Sequence, residues 1–138
     1  MKYLKKFNES SDNSEIILNT LIEEAKDNLA FLLDNDWDVT ISENGIGDEY
    51  YYFGGNINYT AENEFGGLFC SWKSVKEEIL PYLELLINKY IVKDKFNVYY
   101  LNKNDEDVYD EFSLNKLNKK NFEISEIFFN IKIKKESN

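Results

Sequence analysis

The chain contains no histidine, no arginine and no glutamine, and it has one cysteine and one proline among 138 residues. Without His, the side chain that most readily carries protons near neutral pH is missing, together with the commonest nitrogen ligand for transition metals. Without Arg, the planar two-pronged donor that grips phosphate and carboxylate is missing too. A single cysteine, Cys70, excludes an internal disulfide framework. With Phe69 and Trp72 beside it, Cys70 reads as a buried structural thiol in a reducing, cytoplasmic setting. No apolar run approaches the ~18 residues that a membrane span requires, and no apolar signal region opens the chain, so a soluble protein with no membrane partner is expected. The usage is rich in Lys, Asn, Ile, Phe and Tyr, which suggests an AT-rich coding sequence. That bias accounts for part of the missing Arg, but not for the missing His.

What is present is acid. The formal net charge is −10, and it is unevenly spread: residues 7–115 hold 23 Asp and Glu against 7 Lys, whereas residues 1–6 carry +3 and residues 116–138 hold 6 Lys against 3 Glu. An acidic body with basic ends, poor in catalytic side chains, favours binding a basic macromolecular surface over turning over a substrate. With 43% hydrophobic and 16% aromatic residues, the length suits one domain, 1–138, with a real core.

Residues 1–13 show little period and read as a loosely held N-terminal arm. From Ser14 to Asp34, Leu18, Leu21, Ile22, Ala25, Leu29, Leu32 and Leu33 recur at three- and four-residue steps, which predicts a helix. Asp12, Ser14 and Glu15 offer its capping start, and Asp34-Asn35-Asp36 its stop. Trp37, Val39 and Ile41 alternate with polar residues as one strand, and Tyr50 to Thr60 forms the second arm of a hairpin. In that second arm Gly54-Gly55 suggests a bulge or the close approach of another backbone. A short strand over 66–70 follows. Ser74 to Glu77 has capping-box spacing, and Val75, Ile79, Leu83, Leu86 and Tyr90 continue a helical stripe in which Pro81 should kink the helix or open a second segment. Phe96, Val98 and Tyr100 alternate as a strand, Asn102 to Asp107 turns, and Phe122 to Ile133 closes the chain as β, with a parity change near Glu126 that hints at a bulge. The order predicts an α+β fold: two helices packed on one largely antiparallel sheet of four to six strands.

Chemistry-bearing motifs are few. Asp34, Asp36 and Asp38 have the spacing that opens a calcium loop, but Val39 replaces the turn Gly and Gly45 replaces the bidentate Glu, so no metal is expected. Asp105, Glu106, Asp107, Asp110 and Glu111 form a second acidic knot, which also lacks the calcium pattern. The Gly pairs 54–55 and 66–67 match no phosphate-binding spacing, so no cofactor is expected. Tyr50, Tyr51, Tyr52, Phe53 and Tyr59 could stack bases, but a negative surface without Arg argues against direct nucleic-acid binding. Core on one face and interface on the other is the better account. No catalytic motif is present, and no enzyme is expected.

The first ten residues, Met1-Lys2-Tyr3-Leu4-Lys5-Lys6-Phe7-Asn8-Glu9-Ser10, resemble the starts of many small proteins of AT-rich tailed phages. More loosely, they resemble the capsid-targeting leader of internal head proteins in T-even-like phages, with Phe7-Asn8-Glu9 in place of the processing triplet and Phe where that family has Leu or Ile. The resemblance implies a phage accessory protein acting in host cytoplasm, with anti-defence inhibition as one role. Together with the charge, it gives the leading expectation: a non-enzymatic inhibitor, in part a nucleic-acid mimic, docking on a basic, nucleic-acid-binding host protein. The expected contact residues are Asp105, Glu106, Asp107, Asp110, Glu111, Asp34, Asp36 and Asp38, with Tyr51 and Tyr109 as apolar anchors. Two alternatives stay open: a structural or assembly component of a phage particle, and a small carboxylate-based enzyme or ligand binder.

Overall fold

A computed structural model describes residues 2–61, 68–90 and 92–135, with side chains from Asn13 onward. Helix α1 (Lys2–Asn28) and the single turn α2 (Ala30–Leu33) lead into strands β1 (Trp37–Ile46) and β2 (Tyr50–Tyr59). The short β3 (Cys70–Ser71) precedes helix α3 (Trp72–Lys89), which is followed by β4 (Phe96–Leu101), β5 (Asp107–Phe112), the short helix α4 (Leu114–Asn118) and the long strand β6 (Glu123–Lys134). All pairings are antiparallel, in the order β1-β2-β6-β4-β5, and β3 extends the β2 side of β6. This is the α+β architecture expected, with two long helices on an antiparallel sheet.

The last strand in sequence is the central one. Its alternating Ile124, Ile127, Phe129 and Ile131 are fully buried, as are Phe53, Ile57, Phe96 and Val98 on the strands around it. From the helices come Leu21, Ala25, Leu29, Trp72, Ile79, Tyr82, Leu83 and Leu86. Each large side chain taken fully out of water in this way contributes about 1.5–3 kcal/mol before conformational entropy is set against it. The edge of Tyr82 on α3 meets Phe129 on β6, with ring centroids 6.2 Å apart, so the helices cover one face of the sheet. The indole N–H of Trp72 donates to the Leu117 carbonyl at 2.8 Å and ties α4 to the same layer.

Several local expectations change. The segment read as an arm is helical from Lys2, and the side chains of residues 2–12 lie outside the described residues. Ser14 is consequently no cap: it lies buried within α1 and donates to the Glu43 carboxylate at 2.7 Å. Helix α3 begins at Trp72 behind Ser71, not at Ser74, and it continues through Pro81 as one element. Strand β2 is unbroken at Gly54-Gly55; the register shift of the hairpin lies in β1, between Glu43 and Gly45. Gly55 is needed for a side chain rather than for backbone, since a Cβ there would stand 2.3 Å from the buried Phe129 ring, whereas one on Gly54 would meet, at 2.5 Å, only the amide of the exposed Asn44 side chain. Near Glu126 the parity change is real. Tyr99 pairs with Glu126 and Tyr100 with Ile124, which leaves Ser125 as the extra residue of a bulge. Of the expected strand 66–70, residues 66 and 67 lie outside the described residues.

Candidate functional site

Because side chains alternate along a strand, every buried position in the sheet implies neighbours on the opposite face. Pairing registers place these neighbours in rows. One row crosses β1, β2, β6, β4 and β5 as Asp38, Asn58, Glu126, Tyr99 and Tyr109, and the next reads Thr40, Asn56, Phe128, Asn97 and Glu111. These side chains are exposed or half-buried. Among the described residues no helix covers this open face.

At the β4–β5 end the open face is aromatic. Tyr99 and Tyr109 stack with centroids 4.4 Å apart and planes within 14°. Phe69 packs on Tyr99 at 5.3 Å, and Phe128 lies 6.3 Å from Tyr109. Tyr109 is 62% exposed even so, and its stacked neighbour makes the exposed ring part of a local aromatic patch. Carboxylates border the array. Asp107 accepts the Tyr99 hydroxyl, which pushes that phenol up to about 12 and holds the Asp107 carboxyl below its usual range. Glu126 sits half-buried between Tyr99 and Asn58 in its row; burial raises its pKa, and the Asn56 amide donates to it at 3.0 Å.

The expected contact residues divide. Asp107, Glu111 and Tyr109 share the open face at one edge of the sheet, and Asp38 lies on the same face at the other edge, four strand spacings away, about 19 Å. Asp110 has the opposite parity and accepts the Tyr100 hydroxyl, raising that phenol to about 12. Asp105 and Glu106 occupy the β4–β5 turn, where Asp105 takes a left-handed conformation (φ 59°) and the Asn102 side chain accepts the Asn104 and Glu106 amides. Asp36 (φ 67°) plays the same part before β1, and its carbonyl receives both the amide and the hydroxyl of Thr60. Asp34 ends α2. These last four shape turns. Tyr51 is overturned as an anchor: it is 6% exposed and points into the core, because its parity in β2 is that of Phe53.

Comparison of the chain with protein-family models, curated proteins and solved structures returns no match. The site therefore rests on its own geometry. Phe69, Tyr99, Glu126 and Phe128 were missed as site residues because a single strand's alternation does not say which face the helices will cover. The parity change at Ser125 was the available signal: it separates inward Ile124 and Ile127 from outward Glu126 and Phe128. Cys70 is half-buried with its thiol pushed up by burial and by Glu123, the reverse of an activated nucleophile. Among the described residues no group of three or more carboxylate or thiol side chains is placed to hold a metal, and no helix is long and apolar enough to cross a membrane.

Proposed function

We propose that this chain is a non-enzymatic interaction module that docks the β4–β5 half of its open sheet face on a basic protein surface. The observation that supports this best is the ring array of exposed Tyr109 with half-buried Phe69, Tyr99 and Phe128, bordered by Asp107, Glu111 and Glu126. Stacked tyrosines present large apolar area with little rotamer entropy left to lose, which suits the centre of an interface. The surrounding carboxylates steer Lys and Arg of a partner toward that centre and reject acidic surfaces. The same carboxylates disfavour a nucleic-acid strand, whose phosphates would meet them at short range. A basic surface that ordinarily takes nucleic acid is the partner class that fits, and the N-terminal resemblance supplies a phage inhibitor of a host protein as its setting. Assembly through strand pairing is less well supported at β5, where Asp107, Asp110 and Glu111 would confront their own copies.

The test is affinity capture from lysate of the expressing host with three baits: the parent, Tyr109→Ala, and the combined Asp107→Asn, Glu111→Gln, Glu126→Gln variant. Loss of a central ring should weaken a captured partner by roughly tenfold or more at any salt. Loss of the carboxylates should slow association mainly at low salt. A partner retained equally by all three baits would refute this surface.

A further inference from the structure

The other end of the open face carries the opposite charge. A cleft of 820 Å³ opens where β6 runs on past the start of β4, and Lys93, Lys95 and Lys132 line it with the side chains of Asn97, Asn130 and Tyr52. The only carboxylate in its lining is Glu111. In a chain of net charge −10, such a gathering of lysines runs against composition. It also runs against pairing: among the described residues the sole salt bridge is Lys89 to Glu24, so no described carboxylate forms a salt bridge with these three ammonium groups. Asp94, between two of them in sequence, does not compensate, because its carboxylate is turned away and accepts the Leu114 amide at 2.7 Å. That bond, with the tight turn made by the Lys95 amide on the Lys93 carbonyl (2.7 Å), roots both lysines on a fixed segment. Lys132 is oriented as well, its ammonium 3.9 Å over the Tyr50 ring.

We propose that this cleft binds a phosphorylated small molecule of nucleotide size. Its volume lies within the range of small-ligand sites. Three lysines act as point charges for a polyphosphate, the Asn97 and Asn130 amides add donors and acceptors that select a polar ligand, and the Tyr52 ring, 39% exposed, offers a flat surface for a base. Glu111 on the rim limits the site to a compact anion, since a longer phosphate chain continuing toward β5 would meet Glu111 and then the acidic hairpin. The cleft shares Glu111 with the border of the aromatic array, but its lysines lie apart from the rings and the proposal does not depend on the interaction reading.

Titration calorimetry on the full chain at ~0.15 M salt tests it with three probes: tripolyphosphate, ATP and a single-stranded DNA oligonucleotide. Saturable binding of tripolyphosphate and ATP is expected. It should fall about tenfold or more in the combined Lys93→Gln, Lys95→Gln, Lys132→Gln variant, but remain in a charge-matched Lys103→Gln, Lys116→Gln, Lys119→Gln control. Tyr52→Ala should weaken ATP and spare tripolyphosphate. Equal losses in both lysine variants would show diffuse charge attraction and overturn the site. A lack of saturable binding at millimolar probe would overturn it too, as would an oligonucleotide that binds more tightly than either small anion.

Discussion

Replacing Gly55 by alanine should destabilise the protein by about 1–3 kcal/mol, although the same change in an open strand would stabilise it by about 0.5–1 kcal/mol. The reason is a single contact. A Cβ on Gly55 would lie 2.3, 2.4 and 3.0 Å from three carbons of the Phe129 ring, where carbon atoms normally stand about 3.5–4.0 Å apart. The ring would have to retreat by more than about 1 Å. It has nowhere to go: Phe129 is 2% exposed and is backed by Tyr82 of α3. Gly54 provides the control. Its added Cβ would meet the Asn44 amide at 2.5 Å, but Asn44 is exposed and can swing aside, so Gly54→Ala should stay within about 0.5 kcal/mol of the parent. Urea denaturation measures both. With a slope of about 1–3 kcal/mol/M, the Gly55 variant should lose on the order of 1 M in midpoint at an unchanged slope. Adding Phe129→Leu should recover part of the loss, because the shorter side chain vacates the clash. Equal midpoints for the two alanine variants, or no recovery in the double variant, would refute the reasoning.

Three further outcomes are expected. Tyr82→Phe should raise stability by about 1 kcal/mol in thermal or urea melts, because among the described residues its buried hydroxyl has no hydrogen-bond partner while its ring packing on Phe129 is kept; a clear loss would reveal a partner for that hydroxyl. Trp72→Phe should cost about 2–4 kcal/mol by the same measurement, since it strands the Leu117 carbonyl and opens space at a fully buried position; a loss below about 0.5 kcal/mol would refute the buried hydrogen bond. Ultraviolet titration of tyrosinate should find Tyr99 and Tyr100 ionising near 12, and Asp107→Asn should bring Tyr99 down toward 10 while Tyr100 stays. The sign follows from the raised phenol: the Tyr99–Asp107 bond stabilises the fold below pH 10 and is lost as pH rises through about 12, and on the acid side it is lost as pH falls through the lowered pKa of Asp107.

Much of the fold was legible because burial writes its period into the chain. The stripe from Leu18 to Leu33 and the alternation at Trp37, Val39 and Ile41 each follow from one face meeting a core, and the bulge at Ser125 followed from a break in such a period. Capping was less legible. Ser14 and Ser74 stand at plausible starts, yet each lies inside a helix that begins before it, and a cap motif cannot reveal what lies upstream. The acidic residues were readable as charge but not as positions. Asp36 and Asp105 are used by the backbone at left-handed turns, whereas Asp107 and Glu111, in the same sequence cluster, belong to a face shared with β6.

That face combines two opposite fields on one rigid support, and register explains how they stay apart. Rows at the β4–β5 end collect Glu126, Asp107 and Glu111 because β4 pairs with only the first half of β6. Beyond Phe128 the β4 side of β6 is bordered by the segment that brings Lys93 and Lys95 toward Lys132, so the change of sign coincides with the point where β4 begins. Glu111 stands at that boundary, in the acidic row by pairing and in the basic cleft by contact. Neutralising it therefore acts in opposite directions: it weakens attraction of a basic protein to the aromatic end and strengthens attraction of an anion to the cleft. Such coupling is strongest within about one Debye length, ~8 Å at physiological salt. Charge on a ligand held by Lys93 and Lys95 would add to the acidic field that a basic partner meets, so saturating phosphate ligand should strengthen capture of a basic partner without any movement of the sheet.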